Sequence, residues 1–258
     1  MPAPMRRVRV PQLSAMKRKG EKIVMLTAYD ATFAKLFECA GVDVLLVGDS
    51  LGMVVEGQET TLPVTMETMI HHTRAVVRGT ERALVVADMP FGSYQTGADD
   101  AVRNAVRLMK DGGADAVKLE GGASAEEAVR RMTACGIPVM GHVGLTPQSV
   151  KLLGGFRAQG KTDGEKERIF DDARRLEDAG VFAVVLESIP DELSARITKA
   201  LAAPTIGIGA GVSCDGQVLV CYDLLGLTQE APPFVKQYAR LGEMAVEAVK
   251  AYAAEVRG

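Results

Sequence analysis

The sequence has few cysteines and no long apolar run. Only four of its 258 residues are cysteines, and none lies in a CxxC pair or at a spacing typical of zinc sites. Because disulfides persist mainly in oxidising compartments, these residues are expected to be free thiols in a reducing one. The N-terminal segment is basic but lacks the apolar stretch of a signal peptide, and no apolar run approaches the roughly 20 residues of a membrane helix. The sequence therefore predicts a cytoplasmic protein without membrane segments.

Several binding motifs are also missing. The net charge is -3, with Lys and Arg spread along the chain, so no basic patch for nucleic acid is expected. There is no GxGxxG motif after the first apolar run, no GxxxxGKS/T phosphate loop and no GxSxG nucleophile turn. Because no His–Asp pair is apparent near Ser50, this residue is expected to form a hydrogen bond rather than to act as a nucleophile.

Short apolar runs alternate with helical patterns along the chain. Eight runs are predicted to be strands: 23–29, 42–48, 83–89, 115–121, 138–144, 182–188, 204–210 and 217–223. Helices are predicted at 30–40, 65–79, 98–112, 124–135, 164–179, 190–202 and 232–256. This alternation predicts an α/β protein with a single (β/α)8 TIM barrel over residues 1–258, including a short N-terminal extension and a C-terminal helix. A doubly wound open sheet is the alternative.

Local signals set several helix ends. Asp30 is expected to cap the first predicted helix, 30–40. Four helical patterns run into AGV, GGA, CGI and AGV just before a strand, where glycine is expected to end the helix. The segment VSCDG between the last two strands is too short for an ordinary helix, so that unit is predicted to be irregular.

Ionisable residues recur at the ends of the apolar runs. They are Asp49, Asp88, Lys118, Glu120, His142 and Glu187. Lys118 and Glu120 are two positions apart and share one face of a strand. A charge inside a barrel is costly unless it is paired or bound to metal, whereas the C-terminal rim of barrels holds their active sites. The pattern therefore predicts one shared active site at the C-terminal ends of the strands.

The residue types suggest a chemistry. The carboxylates of Asp49, Asp88 and Glu120 suit Mg2+, or Mn2+, better than zinc; a structural ion pair of one of them with Lys118 is the alternative. Such a metal, together with the lysine, would hold an α-keto acid and stabilise its enolate. Glu187 would act as general base, and His142 would contact the substrate or serve as an alternative base.

Weaker features have structural explanations. The glycine-rich segment 207–211 follows the seventh strand, where barrels often bind phosphate, but close backbone packing is the preferred interpretation. His71 and His72 are predicted to be surface or core residues of a helix. Tyr29 would contribute to the cleft.

Several longer segments resemble one known family. They are MLTAYDATFAKL, LLVGDSLGMVVEGQETTLPVT, ADMPFGSY, VKLEGG, GHVGLTPQSV, LLGGFRAQG, VLESIP and IGIGAG followed by DGQVLV. In this order they are similar to the 3-methyl-2-oxobutanoate (ketopantoate) hydroxymethyltransferase family, from about residue 12 to residue 240. The resemblance implies transfer of a one-carbon unit from 5,10-methylenetetrahydrofolate to 3-methyl-2-oxobutanoate, giving 2-dehydropantoate for pantothenate and coenzyme A synthesis. It also implies Mg2+, a cytoplasmic location and, in bacterial members, a homodecamer.

The resemblance also implies residue roles. Asp49 and Asp88 would ligate the metal and Glu120 would join its shell. The substrate-binding residues would be Asp49, Ser50, Asp88, Lys118 and His142, with Glu187 as the proton acceptor. A metal-dependent keto-acid lyase of the same barrel type is the nearest alternative function. A phosphate-binding barrel without catalysis is the alternative from another class.

Overall fold

A computed structural model describes residues 7–258 of the chain. Its contacts divide the chain into two compact units, one ending at Val218 and one formed by Leu219–Gly258. None of the helices formed by these residues is both long and apolar enough to cross a membrane. The extent of a single domain over the whole chain stays a prediction.

The sheet is a closed barrel of eight parallel strands in sequence order. The strands are β1 (Ile23–Thr27), β2 (Val44–Val47), β3 (Leu84–Asp88), β4 (Ala116–Lys118), β5 (Val139–Gly144), β6 (Ala183–Glu187), β7 (Thr205–Ile208) and β8 (Gly216–Leu219). All eight predicted strands are present, and the TIM-barrel prediction is confirmed. The open-sheet alternative is wrong because hydrogen bonding closes the sheet on itself.

Eleven α-helices accompany the strands among the described residues. They are α1 (Val10–Lys19), α2 (Ala31–Cys39), α3 (Leu51–Val54), α4 (Met66–Arg78), α5 (Ala98–Lys110), α6 (Glu126–Ala134), α7 (Val150–Leu153), α8 (Asp163–Asp178), α9 (Asp191–Ala200), α10 (Cys221–Leu224) and α11 (Leu241–Arg257), with a 3-10 turn at Pro147–Ser149. Asp30 caps α2 by accepting the N–H of Phe33 at 2.9 Å. Gly41, Gly113, Gly136 and Gly180 all adopt positive φ just after a helix, which confirms the predicted glycine stops.

Apolar side chains fill the barrel at the N-terminal ends of the strands. One buried cluster combines inward residues of the strands, such as Met25, Val86 and Met140, with Leu13 of α1. Helix α1 lies at this end, since Lys17 Nζ donates to Thr198 O at 2.8 Å and to Ala203 O at 3.1 Å before β7. The sequence did not predict α1, half of whose residues are polar and which shows little amphipathic contrast. The apolar core leaves the C-terminal ends of the strands for the ionisable residues.

The segment Leu219–Gly258 differs from the prediction in two places. The eighth strand was expected to run to Asp223, but it ends at Leu219, and α10 begins at Cys221. The last helix was expected from residue 232, but α11 begins at Leu241. The Pro-containing stretch before it is instead held by backbone bonds such as Tyr238 N–H to Leu224 O at 2.8 Å.

Candidate active site

The strand-end residues predicted from the sequence come together at the C-terminal end of the barrel. Asp88 closes β3 and is directly beside Lys118 of β4 in the sheet register. His142 lies within β5 and Glu187 ends β6, while Asp49 and Glu120 follow β2 and β4. Apart from Glu187, whose side chain keeps 15% of its surface exposed, these residues are buried. The structure thus assembles the predicted group, and the role of each member stays a prediction.

Asp88 lies at the centre of one set of contacts. Its Oδ1 is 2.9 Å from Lys118 Nζ, and its Oδ2 accepts the backbone N–H of Asp49 at 3.0 Å. One oxygen of Asp88 is therefore held by the backbone and the other by its ion pair with Lys118.

His142 joins this group to Glu187. Its Nδ1 lies 3.4 Å from Lys118 Nζ and 3.6 Å from Glu120 Oε1, and its Nε2 lies 3.1 Å from Glu187 Oε2. Burial and the charge of Lys118 lower the pKa of His142, but its contacts with Glu120 and Glu187 outweigh them and raise it to about 9. The contacts with the two carboxylates thus favour the protonated form of the imidazole, whereas the nearby ammonium group of Lys118 opposes it.

Around Lys118, the carboxylates of Asp49, Asp88 and Glu120 outnumber the single positive charge of the lysine. Burial raises the pKa of Asp49 well above its usual range, and the charges of Asp88 and Glu120 raise it further. Burial also raises the pKa of Asp88, although Lys118 partly offsets this. Burial by itself would lower the pKa of Lys118, but the three carboxylates outweigh burial and raise this pKa. One ammonium group is thus surrounded by three carboxylates.

A divalent cation fits this donor set. Within residues 7–258 no three His, Cys, Asp or Glu side chains form a ready-made metal cluster. Besides burial, the charge of Glu120 nevertheless raises the pKa values of Asp49 and Asp88, so the three carboxylates lie close together. Hard oxygen donors with excess negative charge match the preferences of Mg2+ and Mn2+.

Two residues at the centre of the site were not singled out from the sequence. Gln148, in the 3-10 turn after β5, donates from Nε2 to Asp49 Oδ2 at 2.8 Å and from its backbone N–H to Glu120 Oε2 at 2.9 Å. The hydroxyl of Tyr94 lies 2.7 Å from Gln148 Oε1 and accepts the N–H of Glu120 at 3.1 Å. The only sequence signal for them is that both lie in segments that carry the family resemblance, GHVGLTPQSV and ADMPFGSY.

Ser50 and the two adjacent histidines have well-defined surroundings. Ser50 Oγ and Tyr29 OH are 2.9 Å apart, in agreement with the hydrogen-bonding role expected for Ser50. His72 Nδ1 lies 2.6 Å from the carbonyl oxygen of Tyr29, so this half-buried histidine contacts the backbone at the end of β1. His71 is exposed and packs edge-on against His72.

The glycine-rich segment after β7 is closely packed. A Cβ at Gly211 would collide with the carboxylate of Asp191 at the start of α9. The carbonyl of Ala210 accepts from Ser194 Oγ at 2.6 Å, and that of Gly211 accepts from Gln217 Nε2 at 2.9 Å. The adjacent carboxylate disfavours an anion here, so packing accounts for these glycines better than phosphate binding does.

The fold and the buried ionic cluster define a barrel enzyme with its active site at the C-terminal ends of β2–β6. The sequence model of the family described as ketopantoate hydroxymethyltransferase matches residues 7–258, and the chain belongs to this family. The chain is 61% identical over 252 residues to the 3-methyl-2-oxobutanoate hydroxymethyltransferase of Moorella thermoacetica, covering 97% of this chain and 94% of that protein. The enzyme of the same name from Syntrophus aciditrophicus is 58% identical, with 98% and 93% coverage. The predictions of the family and of an enzyme are confirmed.

Solved structures support the fold. Phosphonopyruvate hydrolase in complex with oxalate and Mg2+ superposes with a TM-score of 0.65 at 14% identity, covering 97% of this chain and 87% of that chain. A 2,3-dimethylmalate lyase of the PEP mutase/isocitrate lyase superfamily superposes with a TM-score of 0.60 at 17% identity, with 96% and 87% coverage. At such low identity the likeness concerns the barrel alone.

Proposed function

We propose that the chain transfers a one-carbon unit from 5,10-methylenetetrahydrofolate to 3-methyl-2-oxobutanoate, giving 2-dehydropantoate, with Mg2+ or Mn2+ as cofactor. Membership of the family supports the hydroxymethyl transfer. The observation that carries the mechanism is the division of the site into two parts. Three buried carboxylates surround Lys118, and the partly exposed Glu187 lies beyond His142.

The first part of the site would bind the keto acid. The ammonium group of Lys118 and the hydroxyl of Ser50 would hold its anionic oxygens, since both are polar donors at the same end of the barrel. A divalent cation held by Asp49, Asp88 and Glu120 would supply Lewis-acid stabilisation of the enolate. Burial of the site keeps competing water away from the substrate oxygens.

The second part would move the proton. Glu187 would accept the proton from C3 of the keto acid, because it is the carboxylate of the group that retains solvent exposure. His142, whose Nε2 lies 3.1 Å from Glu187 Oε2, would hold the carboxylate of Glu187 in place. The resulting enolate would form the new C–C bond to the methylene carbon, both bonds from that carbon to the folate nitrogens would break with release of tetrahydrofolate, and water would provide the hydroxyl of the product.

Proton exchange in D2O tests this assignment without the folate. With Mg2+ and 3-methyl-2-oxobutanoate, the C3 proton is expected to exchange for deuterium, which NMR follows directly. Glu187→Gln is expected to slow the exchange by about 100-fold or more, the usual effect of losing a general base, while keto-acid binding remains. Glu192→Gln is the matched control, since Glu192 is exposed and pairs with Lys166. Exchange at the buffer rate in the wild type would refute the proposal.

We also propose a homodecamer in the cytoplasm, as the family resemblance implies. Helix α11 supports assembly, because it buries no residue and exposes Met244, Val246, Val249, Tyr252 and Val256. Sedimentation equilibrium should give ten times the chain mass of 27.4 kDa. A monomeric mass at micromolar concentration would contradict the assembly and leave the chemistry untouched.

A further inference from the structure

Gln148 connects elements that are far apart in the sequence. Its Nε2 donates to Asp49 Oδ2 at 2.8 Å and to the carbonyl of Met89 at 2.9 Å. Its backbone N–H donates to Glu120 Oε2 at 2.9 Å. A single buried residue therefore binds two of the three carboxylates that would ligate the cation.

The orientation of the Gln148 amide is fixed from both ends. The backbone N–H of Gly92 can only donate, and it donates to Gln95 Oε1 at 2.8 Å. The Nε2 group of Gln95 is therefore on the other side of its amide, where it donates to Gln148 Oε1 at 3.2 Å. At the other end, the carbonyl of Met89 is an acceptor only and requires the NH2 group of Gln148. The donor face of the amide must therefore point to Asp49.

These bonds limit what each carboxylate can offer a cation. Asp49 Oδ2 and Glu120 Oε2 each accept one hydrogen bond from Gln148, so the other oxygen of each group is better placed for a cation, with Glu120 Oε1 also 3.6 Å from His142 Nδ1. Ca2+ takes six to eight oxygens and often binds a carboxylate through both oxygens, whereas Mg2+ prefers six ligands in a compact octahedron. One oxygen per carboxylate, completed by water and substrate, suits the compact octahedron of Mg2+ better than the larger shell of Ca2+.

We propose that Gln148 is a positioning residue that determines the choice of cation, holding Asp49 so that it binds through a single oxygen and thereby favouring Mg2+ over Ca2+. This rests on the proposed function, because it requires the cation to bind at Asp49, Asp88 and Glu120. Tyr94 supports the same arrangement, since its hydroxyl contacts both Gln148 Oε1 and the backbone of Glu120.

Gln148→Met tests the proposal, because methionine is of similar length and cannot donate to Asp49. Titration calorimetry of the full chain with 3-methyl-2-oxobutanoate present gives the Kd of Mg2+ and of Ca2+ separately. Loss of an outer partner of a metal ligand typically weakens binding about 10- to 100-fold, and this is expected for Mg2+. Ca2+ binding is expected to change little, because Asp49 regains its second oxygen. The preference for Mg2+ should therefore fall by about tenfold or more.

Two further variants keep the test decisive. Tyr94→Phe leaves Gln148 in place but removes one group that holds its amide, so the Mg2+ preference should fall in the same direction by a smaller factor. Gln159→Met is the control, because the Gln159 side chain bonds to the Arg157 carbonyl and not to a carboxylate. An unchanged ratio of the two affinities in Gln148→Met, whatever its stability, overturns the proposal. If wild-type protein binds neither cation, the metal assignment itself fails and the C3 proton exchange should be metal-independent.

Discussion

The two ends of the barrel use the same residue types in different ways. At the N-terminal end, Asp43, Asp115 and Asp215 each stand one residue before an even-numbered strand. Each carboxylate accepts a backbone N–H from the start of the preceding strand. In the same order, the donors are Val24 at 3.0 Å, Val85 at 3.0 Å and Thr205 at 2.9 Å. Each also pairs with its own cation: Arg82, Arg7 and Lys17.

The C-terminal end lacks this one-to-one pairing. There, Asp49, Asp88 and Glu120 share Lys118, and burial together with the charges of Asp88 and Glu120 raises the pKa of Asp49. Paired acids at the start of strands hold neighbouring strands together. Unbalanced acids at the end of strands are the pattern expected of a site that binds a cation or a substrate. An acid with a structural role is therefore distinguished from one with a proposed functional role by the partners of its carboxylate more than by its position.

The largest expected effect is at the unbalanced end. Asp49→Asn removes a predicted metal ligand and should reduce kcat/KM by at least about 100-fold. The same change should raise the Tm of the metal-free protein, because it removes a buried negative charge next to two others, while asparagine can still accept from Gln148. Steady-state kinetics and calorimetry measure the two effects. A variant that is both less stable and fully active would contradict the comparison.

At the balanced end the effect should be on stability. Asp215→Ala leaves the N–H of Thr205 and the ammonium group of Lys17 without their carboxylate, which should lower the free energy of unfolding by about 2 kcal/mol. The kcat should remain unchanged, because the residue lies at the opposite end of the strands. Asp163→Ala is the control, as that side chain is fully exposed. Urea denaturation and initial rates would test both statements, and a loss of kcat without a loss of stability would count against them.

The smallest expected effect concerns pH. Burial opposes ionisation of Glu38, but backbone N–H groups of Ala83, Glu81 and Arg82, just before β3, outweigh it and lower the pKa of Glu38 below 4.5. Its stabilising contribution is therefore present above pH 4.5 and is lost as the pH falls through the lowered pKa. Glu38→Gln should be less stable than the wild type by about 1 kcal/mol at pH 7, since solvent screens this partly exposed group.

Urea titrations at several pH values measure this difference, which should shrink below pH 4.5. For Asp49→Asn, the difference in stability from the wild type is expected to have the opposite sign, because this variant should be the more stable one. The raised pKa of Asp49 means that its ionised form is destabilising at higher pH, so the gain from asparagine should shrink as the pH falls through that pKa. A Glu38→Gln difference that grew on acidification would show that the charge of Glu38 does not stabilise the fold.

The strands and the clustering of ionic side chains could be predicted because both depend on local patterns. Strands covered on both faces are apolar almost throughout, and an ionisable residue at the end of such a strand stands out. Asp88 and Lys118 then meet because parallel strands end at the same side of the barrel. Glycines at positive φ, such as Gly113 and Gly180, marked the helix ends for an equally local reason.

The remaining features depend on partners that the local sequence does not show. Gln148 reaches Asp49, 99 positions earlier in the chain, and nothing in its neighbourhood distinguishes it from a surface glutamine. Asp215 resembles Asp49 in sequence, since each adjoins an apolar strand, and its contacts with Lys17 of α1 and with the N–H of Thr205 identify it as structural. The apolar residues after Leu219 suggested a longer strand, but the chain turns into α10 instead.

The hydroxyl of Tyr94 gives the site an optical reporter. The chain has no tryptophan and five tyrosines, so its near-ultraviolet absorption comes largely from tyrosine. Tyr94 lies against Gln148 and the backbone of Glu120, and burial raises its pKa well above the usual value of a tyrosine. Second-derivative absorbance should therefore follow the proposed cation binding in unlabelled protein, and Tyr94→Phe should identify the part of the spectrum that belongs to the site.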